Sequence, residues 1–142
     1  MTRLVAVLAA PIALVAAAGA LSVAGAAAPA AAAEASWGRT AAPTQTIRAG
    51  CRDYRFHYDV TVPGDAWMTE ITLVNPRGKK VATRTYDSEA YAPSGTGTFE
   101  LCQPTTAPGR YRITMKVTSY DDRAVSARRA DPSALRLVAR RR

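Results

Sequence analysis

The sequence predicts an all-β protein: a two-sheet antiparallel sandwich of six to seven strands held by one disulfide. Three observations carry this. Apolar and polar residues alternate with a period of two in Tyr54–Val62 and again in Arg110–Tyr120. Pro, Gly, Asn and Asp cluster at the ends of such runs, and no stretch beyond the N-terminal leader has the apolar spacing of an amphipathic helix. Two cysteines, Cys51 and Cys102, lie within the strand-rich region.

The chain opens with Met1-Thr2-Arg3, an uncharged run from Leu4 to Ala28, and Ala31-Ala32-Ala33. A basic start, an apolar stretch and a small-residue end predict a signal helix over residues 1–33, cleaved near Ala33. Pro11, Gly19 and Gly25 interrupt it, which favours cleavage over a permanent anchor. The protein is therefore expected to be secreted, touching a membrane only through this segment. Outside the cytoplasm a disulfide survives. The pair Cys51 and Cys102, with no Cys-x-x-Cys spacing and a single histidine, His57, reads as a structural bond and not as a metal site. Closing a loop of this length stabilises a chain by about 4 kcal/mol.

Residues 34–45, rich in Ala, Ser, Gly, Thr and Pro with one Trp37, read as a flexible linker. The domain proper is expected over 46–139. Thr46–Ala49 is a short first strand. Tyr54–Val62 is the second, with its even positions apolar and its odd positions polar, stopped by Pro63-Gly64-Asp65. Trp67–Val74 follows, with Trp67, Ile71 and Leu73 inward. Asn75-Pro76-Arg77-Gly78 is a tight turn, in which Pro presets φ and Gly accepts a positive φ, so Lys79–Tyr86 returns as a hairpin. Asp87–Gly95 is a loop. Gly97–Cys102 is a strand with Phe99 and Leu101 inward, and Gln103–Gly109 is another loop. Arg110–Tyr120 sends Tyr111, Ile113, Met115 and Val117 inward. Asp121–Asp131 is polar and reads as a long turn or irregular edge. Ala134–Ala139, with Leu135 and Leu137, closes the domain, and residues 140–142 form a basic tail.

Cys51, Trp67, the Asn75–Gly78 turn, Phe99-Glu100-Leu101-Cys102 and Pro108-Gly109-Arg110-Tyr111 resemble, in their order, immunoglobulin-like β-sandwiches. They are more similar still to small secreted actinobacterial proteins of unknown function. The resemblance covers about Thr46 to Arg140 and implies a fold, not a function. It departs from antibody domains at Glu100, where those carry tyrosine, and in placing the sixth strand after Cys102. The disulfide is thus left open between an inter-sheet bond and a staple of strand ends.

The formal charge is +8. From residue 123 onward there are seven arginines and one acid, Asp131, whereas Glu34–Asp122 is close to neutral. Arg110, Arg112 and Lys116 share the wet face of one strand, and Arg128, Arg129, Arg136, Arg140, Arg141 and Arg142 crowd the C-terminal region. Arginine forks suit phosphate and carboxylate groups, so this set points to an anionic envelope polymer or an unidentified extracellular protein. The plainer reading is a solvated, solubilising face. No nucleic-acid motif and no interleaved stacking aromatics accompany it, so specific nucleic-acid recognition is not expected.

Other chemistry has weaker support. A hydrolase would have to use His57, which alternates with Arg55 and Asp59 on a wet face, and no Gly-x-Ser-x-Gly elbow is present. Asp121-Asp122 with Asp87 and Glu89 lacks the density of a calcium loop. Asp53, Asp59, Asp65, Glu70 and Glu100 could supply a glycosidase pair only if the fold spaced two of them correctly; acids on exposed strand faces are ordinary. The 87–95 loop offers a protease-inhibitor alternative, although no cysteine braces it. The expectation is a non-enzymatic protein with no cofactor and no metal; no residue pattern sets its oligomeric state.

Overall fold

The computed structural model describes residues 36–121 and 124–140. The expected leader, the first two linker residues, and Arg141 and Arg142 lie outside the described residues. Those described form nine strands and no helix: β1 (Gly38–Ala41), β2 (Gln45–Thr46), β3 (Cys51–Val60), β4 (Ala66–Val74), β5 (Lys80–Asp87), β6 (Ser94–Cys102), β7 (Gly109–Asp121), β8 (Ala124–Arg129) and β9 (Ser133–Val138). Sheet 1 has the order β1-β3-β6. Sheet 2 has the order β2-β9-β7-β4-β5, with β8 also paired to β7.

The alternation read from the sequence decides which face each strand buries. In β3, Tyr54, Phe56, Tyr58 and Val60 are buried; in β7, Tyr111, Ile113, Met115 and Val117 are. Trp67, Ile71 and Leu73 of β4, Phe99 and Leu101 of β6, and Leu135 and Leu137 of β9 complete the core as expected. Aromatic rings fill the space beside β6: Phe56 stacks on Phe99 with centroids 4.4 Å apart, and Tyr58 stacks on Tyr86 at 4.6 Å. Gly97 lies opposite Phe56 on the inner face of β6, where a Cβ would run into the Tyr86 hydroxyl and the Phe56 ring. A glycine is thus the residue that lets these rings lie flat on the strand. Thr69, fully buried, donates its hydroxyl to the Lys116 carbonyl at 3.0 Å, which satisfies a polar atom that burial would otherwise penalise.

The Asn75–Gly78 turn forms as predicted. Asn75 Oδ1 accepts from the Arg77 and Lys79 amides, and Gly78 takes φ +81°. The disulfide is a staple of strand ends within sheet 1, because Cys51 and Cys102 are register partners at the ends of β3 and β6.

Nine strands among the described residues replace the six to seven expected. The first expected strand, Thr46–Ala49, shrinks to Gln45–Thr46 and pairs in parallel where an antiparallel sandwich is expected, and two further segments are corrected. The linker-like segment contains β1, which pairs antiparallel with β3 from Gly38↔Val60 to Ala41↔His57. Its polar composition hides a strand because only Gly38 and Thr40 turn inward. The Asp121–Asp131 region contains β8, paired with β7 from Asp121↔Ala124 to Lys116↔Arg129. It lacks alternation because it is exposed almost throughout, and its order comes from the hydrogen-bond ladder. The chain between β1 and β2 changes sheets around Pro43. Gln45 covers the edge of β3 that β1 leaves open: its amide donates to the Arg55 carbonyl at 2.9 Å and accepts from the Arg55 amide at 3.0 Å. Beyond it, β2 pairs with β9 in parallel.

Candidate functional site

The candidate surface is built on β7. Successive residues of a strand point to opposite faces, and residues directly opposite on neighbouring strands share a face. Inward Tyr111, Ile113 and Met115 therefore force Arg110, Arg112 and Lys116 outward, and all three are exposed. On one flank of β7 the register sets Arg136 of β9 directly opposite Arg110, and Arg129 of β8 opposite Lys116. Five cations thus share the outer face of sheet 2. Like charges placed directly opposite each other destabilise a sheet. On the other flank of β7, Glu70 of β4 lies opposite Lys116, and its carboxylate is 3.7 Å from Lys80 Nζ. The Lys116 end is therefore partly neutralised. The Arg110, Arg112 and Arg136 end is not, and a hollow of about 360 Å³ opens there between Gly109, Arg110, Ala134 and Arg136.

Arg128 does not join this face. It is the register partner of inward Val117, and its guanidinium sits 4.7 Å from the centroid of the Trp37 ring. The period of two separates it from Arg129, and the cation–π contact holds Trp37 against sheet 2. Arg140 lies beyond β9, beside Arg48 and Arg52. Neither Arg48 nor Arg52 stands out in the sequence, because only the parallel β2–β9 pairing brings their turn to the C-terminal segment.

The remaining candidates are placed as follows. His57 is on the outer face of sheet 1, with Nδ1 2.9 Å from the Thr96 hydroxyl, and Asp59 is paired with Arg39 at 2.7 Å. Among the described residues, one trio could bring three metal-ligand atoms together: Cys51, Glu100 and Cys102, whose sulfurs are joined in the disulfide. The 87–95 loop is folded against the domain. Asp87 Oδ1 accepts from the Glu89 and Ala90 amides, and the carbonyls of Ala92 and Pro93 accept from Tyr58 Oη and the Val60 amide. Tyr91 packs edge-on against Tyr86. Burial pushes the phenols of Tyr58 and Tyr86 above the usual tyrosine value, with a smaller contribution from neighbouring tyrosines. No family model matches the chain, and neither a curated protein nor a solved structure matches it.

Proposed function

We propose that this is a secreted, non-catalytic immunoglobulin-like domain that holds an anionic polymer of the cell envelope against the outer face of sheet 2. The observation that carries the reading is the register: Arg110 opposite Arg136 and Lys116 opposite Arg129, with Arg112 between. Arginine forks on such a face suit phosphate and carboxylate oxygens, and a bound polyanion would relieve the repulsion the register creates. The leader-like N-terminus supports secretion, and the disulfide is consistent with it. The wiring supports the immunoglobulin-like assignment. Strands β3 and β6 pair in one sheet and β4 and β7 in the other, and the first strand splits between the sheets, ending parallel to the last.

The test is retention of the purified protein on envelope material at low and high salt. Binding is expected to fall steeply with salt, because ions screen exposed charges. It should also fall in the Arg110→Gln/Arg112→Gln/Arg136→Gln variant. Retention that survives these substitutions, or capture that salt does not release, would overturn the reading.

A further inference from the structure

After β2 the chain turns through Ile47–Gly50 into Cys51, and this turn is braced from several sides. The Ile47 amide donates to the Val138 carbonyl at 2.9 Å and the Arg48 amide to Tyr54 Oη at 3.3 Å. The Gln103 amide donates to the Gly50 carbonyl at 3.1 Å, and the disulfide fixes the next residue, Cys51. Beside the turn lies a hollow of about 500 Å³ lined by Thr46, Arg48, Ala49, Arg52 and Arg140. No acid lines it. The ion pairs Arg39–Asp59 and Lys80–Glu70 involve none of these three guanidiniums, and the acid Asp53 lines the adjoining hollow with Arg48 and Arg52.

We propose that this hollow binds a phosphate monoester or free phosphate. Each guanidinium presents a planar fork of donors, and three forks around one hollow match the three terminal oxygens of a phosphate dianion. A carboxylate has two oxygens, which one fork satisfies. A phosphodiester has two free oxygens and one charge, which leaves a guanidinium without an oxygen. Because the turn is already held, little backbone order has to be gained on binding. The site is separate from the outer face of β7, so the two readings can fail independently.

The experiment is calorimetric titration of the purified protein at low ionic strength with four probes: inorganic phosphate, glucose 1-phosphate, dimethyl phosphate and acetate. Saturable one-to-one binding is expected for the first two, about tenfold or more tighter than for dimethyl phosphate or acetate. The better of the first two probes tells a sugar-phosphate source from the free ion. Arg48→Gln/Arg52→Gln, at exposed positions, should weaken binding by about tenfold or more, and Arg140→Gln should weaken it in the same direction. Arg110→Gln/Arg136→Gln should leave it within about twofold, since screened charges away from the ligand contribute little. Absence of saturable phosphate binding, equal affinity for acetate, or indifference to the Arg48 and Arg52 changes would overturn the proposal. So would an equal loss in the Arg110 and Arg136 variant.

Discussion

Removing the disulfide tests how the domain is held together. Cys51 is exposed and Cys102 half-buried, so Cys51→Ala/Cys102→Ala discards little buried surface. The β3–β6 ladder continues from Arg52↔Leu101 to Asp59↔Ser94 without the sulfurs. The folded state therefore loses little, and the effect falls on the unfolded chain, which is freed from a loop spanning 51 positions. In the chain-entropy model that constraint is worth about 4 kcal/mol. A domain of this size has a total stability on the order of 5–15 kcal/mol, so the loss is a large share of the whole. Urea unfolding followed by tryptophan fluorescence should show the midpoint falling by roughly 2 M, with a steeper slope, because the unlinked chain exposes more surface. A loss below about 1 kcal/mol with an unchanged slope would refute the argument that the bond acts through the unfolded state.

Gly97→Ala should destabilise by about 1–3 kcal/mol, because its Cβ meets the Tyr86 hydroxyl and the Phe56 ring. Tyr86→Phe removes that hydroxyl, so the double variant should be more stable than the sum of the single losses predicts; strict additivity in urea unfolding would contradict the packing account. Stability should also fall as the solution is made alkaline. Burial raises Tyr58, Tyr86 and Tyr111 above the ordinary value of 10.0, so they keep their protons in the folded state while the unfolded chain releases its own. The stability these phenols confer is complete below that value and is lost as pH rises toward the folded-state values. A urea midpoint that stays flat from about pH 9 to about pH 11.5 would count against it.

Burial, where it alternates, made the fold legible. β3 and β7 each bury every second side chain, and a hydrophobic period survives any uncertainty about partners. The hairpin was legible because Asn75, Pro76 and Gly78 have backbone preferences that act locally. β1 and β8 were not, because both are polar segments whose strand state comes from the neighbour they pair with. The candidate surface divides in the same way. Arg110, Arg112 and Lys116 follow from the period of β7 alone. Opposing Arg136 to Arg110 needs the register, and nothing in the C-terminal crowd of arginines marks Arg128 as the one turned toward Trp37. The Arg48, Arg52 and Arg140 hollow depends on a parallel pairing between the two ends of the domain, a contact no local pattern encodes.

The two outer faces of the sandwich form an internal comparison for the meaning of the charge. On sheet 1, the exposed side of β1, β3 and β6 carries Arg39, Asp53, Arg55, Asp59 and Glu100, a mixture of signs in which Arg39 pairs closely with Asp59 while Asp53 and Glu100 lie directly opposite each other. Mixed signs are what solubility asks of a surface. Sheet 2 presents Arg110, Arg112, Lys116, Arg129 and Arg136, with the acids Glu70, which lies opposite Lys116 and is paired with Lys80, and Asp87, opposite exposed Met68. An arginine-rich composition would load both faces alike, and a need for solubility would be met by either. Both sheets oppose like charges in register, acids at Asp53 and Glu100 on sheet 1 and cations at Arg110 and Arg136 and at Lys116 and Arg129 on sheet 2; what sets sheet 2 apart is that its opposed like-charge pairs are all cationic. The proposed anionic partner, meeting sheet 2, would offset the repulsion within both of its cation pairs.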